Sequence, residues 1–344
     1  MITTRIDQLI GNSPLLRLNG LCDDKGLINV YGKLESLNPG YSVKDRSALQ
    51  LLKQATRDHD LKPGATIVES SSGNMGHALA MLCAAYKFNF ICVLDPKTPA
   101  ANVTLVKAFG GTVVLVDAPD ENGSYQKRRI AQARKIATER PNCVNLDQYN
   151  NPAAIDAHYL TTGPEIYQGL DGKVDVLIGS ASTGSHLSGT AKYLKERNHN
   201  IHVIGVEPIG SVVFGGEYKP FLQNGTGLSF QPGNILREYI DEVIKVSDSD
   251  AFTTCRKFAK TEGLLLGGSS GSVLAAAKQY VATLTKPRNI VVILPDGGLK
   301  YLETIYDDAW LEKHGFLKPP TPVSAETSAP DAPSTMAEPM EVSR

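Results

Sequence analysis

The sequence has little cysteine, no dense charge of one sign and no long apolar run, and each shortage closes off a class of function. Its five cysteines are scattered at positions 22, 83, 92, 143 and 255, none of them in Cys-x-x-Cys spacing. An odd, dispersed set of this kind builds neither a disulfide framework nor a zinc site. Cys83 and Cys92 sit among apolar neighbours and read as buried packing residues, without the basic surroundings that activate a thiol. The formal net charge is -1 and Lys and Arg form no dense run, so there is no electrostatic footprint for nucleic acid. No uncharged apolar stretch approaches membrane-spanning length, and residues 1–7 lack the apolar core of a signal peptide. The expectation is a cytoplasmic protein whose partners are small molecules, with no metal, nucleic acid or membrane involved.

What is present is ordinary globular composition, 42% hydrophobic and 21% charged over 344 residues, enough for a large core split into two lobes. Short β-branched runs at 65–69, 90–94, 112–116, 174–178, 201–206 and 290–294 read as buried strands. Between them, segments such as 74–86, 125–139 and 188–197 carry helical spacing. Alternation of this type predicts an α/β fold of mostly parallel sheets flanked by helices. No internal repeat is present. Pro141 and the 150–152 stretch mark a place for the chain to pass between lobes. From Pro319 onward the composition turns to Pro, Ser, Ala, Thr and Glu, with almost nothing to bury. A disordered tail over 317–344 is expected on those grounds.

Four short segments carry the chemistry. In Asn38-Pro39-Gly40-Tyr41-Ser42-Val43-Lys44-Asp45-Arg46, Pro-Gly favours a turn and Ser42 can cap a following helix. Lys44 then falls in the first helical turn, where the helix dipole disfavours a cation. It is either a solvated surface lysine or a Schiff-base lysine whose amine is partly neutral. In Glu69-Ser70-Ser71-Ser72-Gly73-Asn74-Met75-Gly76, hydroxyls and glycines at a strand-to-helix turn expose backbone N–H groups suited to a carboxylate. A simple helix cap would need only one of these hydroxyls. The stretch from Gly179 to Gly189 (Gly-Ser-Ala-Ser-Thr-Gly-Ser-His-Leu-Ser-Gly) can wrap a phosphate in the same way. It is neither a Walker loop nor a dinucleotide fingerprint, and its His186 serves as a packing or capping residue or as a ligand. Gly267-Gly268-Ser269-Ser270-Gly271-Ser272, ahead of the helix-forming 273–277, is either a tight turn or a hydroxyl pressed against a planar ligand.

Taken together and in this order, Asn-Pro-x-x-Ser-Val-Lys-Asp-Arg, Ser-Gly-Asn and Gly-Gly-Ser-x-Gly resemble the fold-type II pyridoxal-phosphate β-synthases, the cysteine synthase and cystathionine β-synthase family. The resemblance runs from about Ile6 to Trp310. It implies a two-domain, tryptophan synthase β-like fold, with a large domain from 1–40 plus 150–316, a small mobile domain over 41–149, and a homodimer. It also implies that pyridoxal 5′-phosphate is held covalently on Lys44, with Asn74 on its ring oxygen and Ser269 at its pyridine nitrogen. Ser182, Thr183, Gly184, Ser185 and His186 would take its phosphate, although His186 departs from the usual threonine. Ser71, Ser72, Asn74 and Gln148 would grip the substrate carboxylate. The implied reaction is β-replacement: Lys44 removes the α-proton, the β-substituent leaves, and a second nucleophile adds.

Further stretches, Val93-Leu94-Asp95-Pro96-Lys97, residues 120–125, Gly210 to Gly215 and Cys255-Arg256-Lys257, resemble one branch of that family. These are the siderophore-pathway N-(2-amino-2-carboxyethyl)-L-glutamate synthases, which join O-phospho-L-serine to L-glutamate on the route to 2,3-diaminopropionate. Under that resemblance Arg129, Tyr149 and Ser182 would bind the substrate's phosphate, for which a planar guanidinium is well suited. Arg129 reads equally as a solvated helix residue. Cysteine synthase is the main alternative. Cystathionine β-synthase fits less well, with no haem-binding stretch before Ile6 and no regulatory module after Trp310, and a non-catalytic scaffold is disfavoured by the intact Lys44.

Overall fold

The computed structural model describes residues 2–23, 26–121 and 123–317; the expected tail, apart from Leu317, lies outside them. Among these residues ten strands occur in chain order: β1 (Leu15–Arg17), β2 (Ile28–Leu34), β3 (Thr66–Ser70), β4 (Asn89–Leu94), β5 (Thr112–Leu115), β6 (Cys143–Asn145), β7 (Val176–Ser180), β8 (His202–Pro208), β9 (Glu242–Val246) and β10 (Arg288–Leu294). The helices are α1 (Lys44–Asp58), α2 (Asn74–Tyr86), α3 (Ala100–Ala108), α4 (Gln126–Glu139), α5 (Ala153–Ala157), α6 (Gly163–Gly169), α7 (Ser185–Arg197), α8 (Asp248–Glu262), α9 (Gly268–Val281) and α10 (Asp308–Lys313). None of the described helices is long and apolar enough to cross a membrane.

The strands make two sheets, one of six in the order β1-β2-β10-β7-β8-β9 and one of four in the order β5-β4-β3-β6. Every pairing is parallel except β1 with β2 at one edge. Parallel neighbours need crossovers, and the helices supply them on both faces. The alternating side chains show this directly. Ile290, Val292 and Leu294 of β10 enter one core with Phe252 and Val273, while Val291 and Ile293 enter another with Leu187 and Leu194. In the smaller sheet, Phe90, Cys92 and Leu94 of β4 pack on α1 and α2, and Ile91 and Val93 on α4. Strands covered on both sides read as continuous apolar runs, which is why β3, β4, β7, β8 and β10 are visible in the sequence.

The predicted α/β class is the observed one, with boundaries moved by a few residues. Helix α7 begins at Ser185 rather than near 188, and the glycine-serine turn expected before 273 is itself the first turn of α9. Tertiary packing overrides the poor helix propensity of Gly and Ser there. A Cβ on Gly271 would run into Ala251 O and Cys255 Sγ of α8, so only glycine lets these two helices approach so closely. The five thiols are free, and burial pushes Cys83, Cys92 and Cys255 up to about 12, which keeps them inert.

Candidate active site

Loops at the carboxyl ends of β3, β7 and β10 converge beside the first turn of α1, as expected for ligand sites in open parallel sheets. Val43 N donates to Pro295 O at 2.8 Å, and Ser42 bridges Asp296 in antiparallel fashion. The start of α1 is thereby pinned to the end of β10, although its body packs under the smaller sheet with α2. Lys44 is the first residue of α1, and Ser42 Oγ accepts from its N–H at 3.3 Å. Its amine reaches Thr183 Oγ1 at 3.5 Å. Burial lowers the Lys44 amine to about 8, against the opposing field of Asp296. A solvated surface lysine is thus excluded.

These loops line a cleft of about 570 Å³. Of the residues singled out from the sequence, Lys44, Ser71, Ser72, Asn74, Arg129, Gln148, Tyr149, Ser182 and Thr183 line it, whereas Gly184, Ser185, His186 and Ser269 do not. Ser71 Oγ accepts from Gly76 N at 3.0 Å and so fixes the turn into α2. Gln148 is locked by two bonds: its N–H reaches Glu69 Oε2 at 3.1 Å and its amide reaches Ser70 O at 2.7 Å. Glu69 is itself buried, which raises its carboxyl to about 8 even though Ser70 N–H and Gln148 N–H both donate to it. Tyr149 packs edge-on against Phe230 and is buried.

Gly184 opens α7 with φ +91°, and a Cβ there would lie 2.7 Å from Asn234 O. Only glycine makes this turn, which leaves the first-turn N–H groups of α7 without intrahelical partners. Ser185 Oγ accepts from Asn234 Nδ2 at 3.3 Å. His186, in that same first turn, is buried with neither ring nitrogen hydrogen-bonded, and burial holds its imidazole near pKa 3, with the charge of Lys44 adding to the effect. Ser269 Oγ, in the first turn of α9, is also buried without a partner.

Arg129 on α4 is only 4% exposed, so the solvated-helix alternative does not hold. Its Nε lies 3.2 Å from Asp95 Oδ2, and its Nη1 has no hydrogen-bond partner.

Two further groups, Lys300 on the cleft wall and Asp296 bonded to Asn74, went unnoticed in the sequence. Asp296, fully buried, accepts from Asn74 Nδ2 at 2.8 Å and from Tyr301 OH at 2.7 Å. Lys300 lines the cleft, donates to Asn74 Oδ1 and lies 3.7 Å from Asp296 Oδ2. The available signal was Pro-Asp-Gly-Gly directly after the last apolar run, a strand-end turn of the same kind as those after β3 and β7.

Residues 6–296 match the family described as pyridoxal-phosphate dependent enzyme. The chain is 36% identical over 334 residues to N-(2-amino-2-carboxyethyl)-L-glutamate synthase of Ralstonia nicotianae, covering 97% of this chain and 98% of the relative. It is 39% identical over 301 residues to cysteine synthase of Staphylococcus aureus, covering 87% and 95% respectively. The crystal structure of O-ureido-L-serine synthase superposes with TM-score 0.83 at 32% identity, over 90% of this chain and 99% of the other.

The residues present fit that cofactor on their own evidence. A half-buried lysine with a lowered pKa suits covalent attachment. The helix N-terminus behind Gly184 suits a phosphate, and the orphaned Ser269 hydroxyl needs a buried partner that the protein does not supply. Chemistry, fold and relatives agree: the chain belongs to the pyridoxal-phosphate dependent enzymes and is a β-replacement transferase of the cysteine synthase family.

Proposed function

We propose that this enzyme joins O-phospho-L-serine to L-glutamate, giving N-(2-amino-2-carboxyethyl)-L-glutamate and phosphate, a step toward 2,3-diaminopropionate in siderophore or natural-product biosynthesis. It works as a cytoplasmic homodimer in which the 41–149 lobe closes on the lobe made from 1–40 and 150–316. The observation that carries the reading is Arg129: a guanidinium buried on the cleft wall with Nη1 lacking an acceptor. A buried donor of that kind is costly unless a ligand satisfies it. A phosphate leaving group carries about two negative charges near neutral pH, whereas an acetate ester is neutral. The Ralstonia relative, similar along nearly the whole chain, points the same way.

In this reading Lys44 would hold the cofactor, with Asn74 available to its ring oxygen and Ser269 to its pyridine nitrogen. Ser182, Thr183, Gly184, Ser185 and His186 surround its phosphate. When bound, pyridoxal phosphate acidifies the α-carbon of an attached amino acid and lets the β-substituent depart. Ser71, Ser72, Asn74 and Gln148 receive the donor carboxylate, and the bonds from Gln148 to Glu69 and Ser70 keep that loop in shape. Lys44 Nζ takes the α-proton, with Thr183 Oγ1 holding the amine in place. Arg129, with the hydroxyls of Tyr149 and Ser182, receives the leaving phosphate, and Asp95 fixes the orientation of its guanidinium. Ser269 offers a neutral hydroxyl where a carboxylate would hold the ring nitrogen protonated.

Replacing Arg129 by alanine removes a charge-assisted contact of roughly 1.5–3 kcal/mol. The expected result is a fall of about tenfold to more than a hundredfold in kcat/KM for O-phosphoserine, with any turnover of O-acetylserine spared. An equal fall for both donors makes Arg129 structural. A wild-type enzyme that makes cysteine from sulfide and no glutamate adduct makes this a cysteine synthase, the reading favoured by the Staphylococcus relative.

A further inference from the structure

The proposed reaction brings two amino acids to one cleft, and the second carries two carboxylates that need cations of their own. Among the described residues the cations lining the cleft are Lys44, Lys97, Arg129 and Lys300. Lys44 is the reactive amine and Arg129 is assigned to the donor's phosphate. Lys97 is exposed and stands 5.5 Å over the Tyr125 ring, on the segment that also carries Asp95. Lys300 differs from all three. Its side chain is 13% exposed, it follows β10 and not the Arg129 segment, and its ion pair with Asp296 is long at 3.7 Å. An ammonium has three donors, and those of Lys300 meet only Asn74 Oδ1 and Asp296. Once Asn74 turns to the cofactor, as proposed above, two of the three are free of it and of Asp296.

Three residues further on, Glu303 lines the same cleft, is exposed, and makes no hydrogen bond or ion pair with any described residue. Thr304 lines the cleft beside it. The same short segment therefore supplies the cleft with a cation and, three residues on, a carboxylate without a partner among the described residues, opposite charges of the kind that match a zwitterionic amino acid. We propose that Lys300 and Glu303 form the subsite for the incoming amino acid, Lys300 receiving one of its carboxylates and Glu303 its ammonium group. Glu303 then draws the nucleophile in by its charged amine and accepts the proton that this amine must lose before it can attack, passing it on to solvent. This rests on the reading of the second substrate as an amino acid.

The test is a ratio, which cancels any general damage next to Asn74. Holoenzyme, Lys300→Met and Lys300→Arg are assayed with O-phosphoserine as donor and glutamate, glutamine or isoglutamine as acceptor, each product being quantified by mass. Wild type should prefer glutamate over at least one of the two amides by about tenfold or more, the size of a charge-assisted contact. Lys300→Met should abolish that preference and Lys300→Arg should restore it. Loss against glutamine assigns the side-chain carboxylate, and loss against isoglutamine assigns the α-carboxylate. Glu303→Gln should raise KM for all three acceptors while leaving their ratios unchanged. A preference that survives in Lys300→Met overturns the subsite while glutamate remains the substrate. A wild-type enzyme that forms no adduct with any of the three overturns the reaction itself and the subsite with it.

Discussion

At the scale of single residues, the site is governed by what burial does to ionisable groups. Lys44 would be a poor nucleophile at its ordinary pKa, and the same lysine on an exposed helix would stay protonated at neutral pH. Its amine is brought down to about 8 by burial, with Asp296 limiting the fall. A lowered lysine pKa means that the neutral form disappears as pH drops through that value. The rate at which cofactor-free protein takes up pyridoxal phosphate should therefore rise with pH, pass its midpoint near 8 and level off above it, as followed by absorbance of the yellow product. Lys44→Ala should bind without borohydride-trappable attachment. Labelling of a different lysine after reduction would remove Lys44 from its role. The turns that carry Lys44, Asn74 and Ser269 were legible in the sequence because each is a short motif with its own turn chemistry. Asp296 and Lys300 were not, since their meaning comes from Asn74, more than two hundred positions away in the chain.

At the scale of elements, the position of α1 decides where that lysine points. Two residues after Lys44, Arg46 is buried between two carboxylates. Its Nε and Nη2 donate to Glu35 at 2.7 and 2.8 Å, and its Nη1 and Nη2 donate to Glu165 at 2.6 and 2.7 Å. Lys33 of β2 reaches the same Glu165 at 2.6 Å. The network ties α1 to the carboxyl end of β2 in the six-stranded sheet and to α6, while the rest of α1 packs in the core of the other sheet. Removing one member of a buried ion network leaves the others uncompensated, at a cost of about 3–5 kcal/mol. Arg46→Ala should show that loss in urea unfolding, whereas exposed pairs such as Lys62 with Asp60 should shift the midpoint little. A loss under about 1 kcal/mol would mean that water enters and solvates the two glutamates. Helices α2 and α4 were predictable from period and spacing to within a residue of their starts, but the starts of α7 and α9 were not. α7 and α9 start inside glycine-serine stretches whose local preference is for turns.

At the scale of the whole molecule, the cleft takes its walls from both sheets. The carboxylate-type loop follows β3 of the four-stranded sheet, and the phosphate-type loop follows β7 of the six-stranded one. A donor amino acid that engages both loops draws the sheets toward each other, so closure on substrate is the expected motion. Solution scattering of the holoenzyme should give a smaller radius of gyration with O-phosphoserine than without it. Superimposable curves would mean that the donor is held within one lobe or that the cleft is already closed.

The sequence by itself determined the α/β class, the motif that carries the candidate lysine and the order of the loops that converge on the cleft. Buried parallel strands must be apolar on both faces, and backbone N–H cradles need glycine and small hydroxyls at strand ends, so composition along the chain records them. Only the tertiary structure decided the electrostatics. Whether Arg129 was solvated or buried with an unmet donor, whether Lys44 was an ordinary cation, and which charges share a wall with it all depend on desolvation and distance. Those quantities arise when segments far apart in the chain are brought together, and no local stretch of residues encodes them.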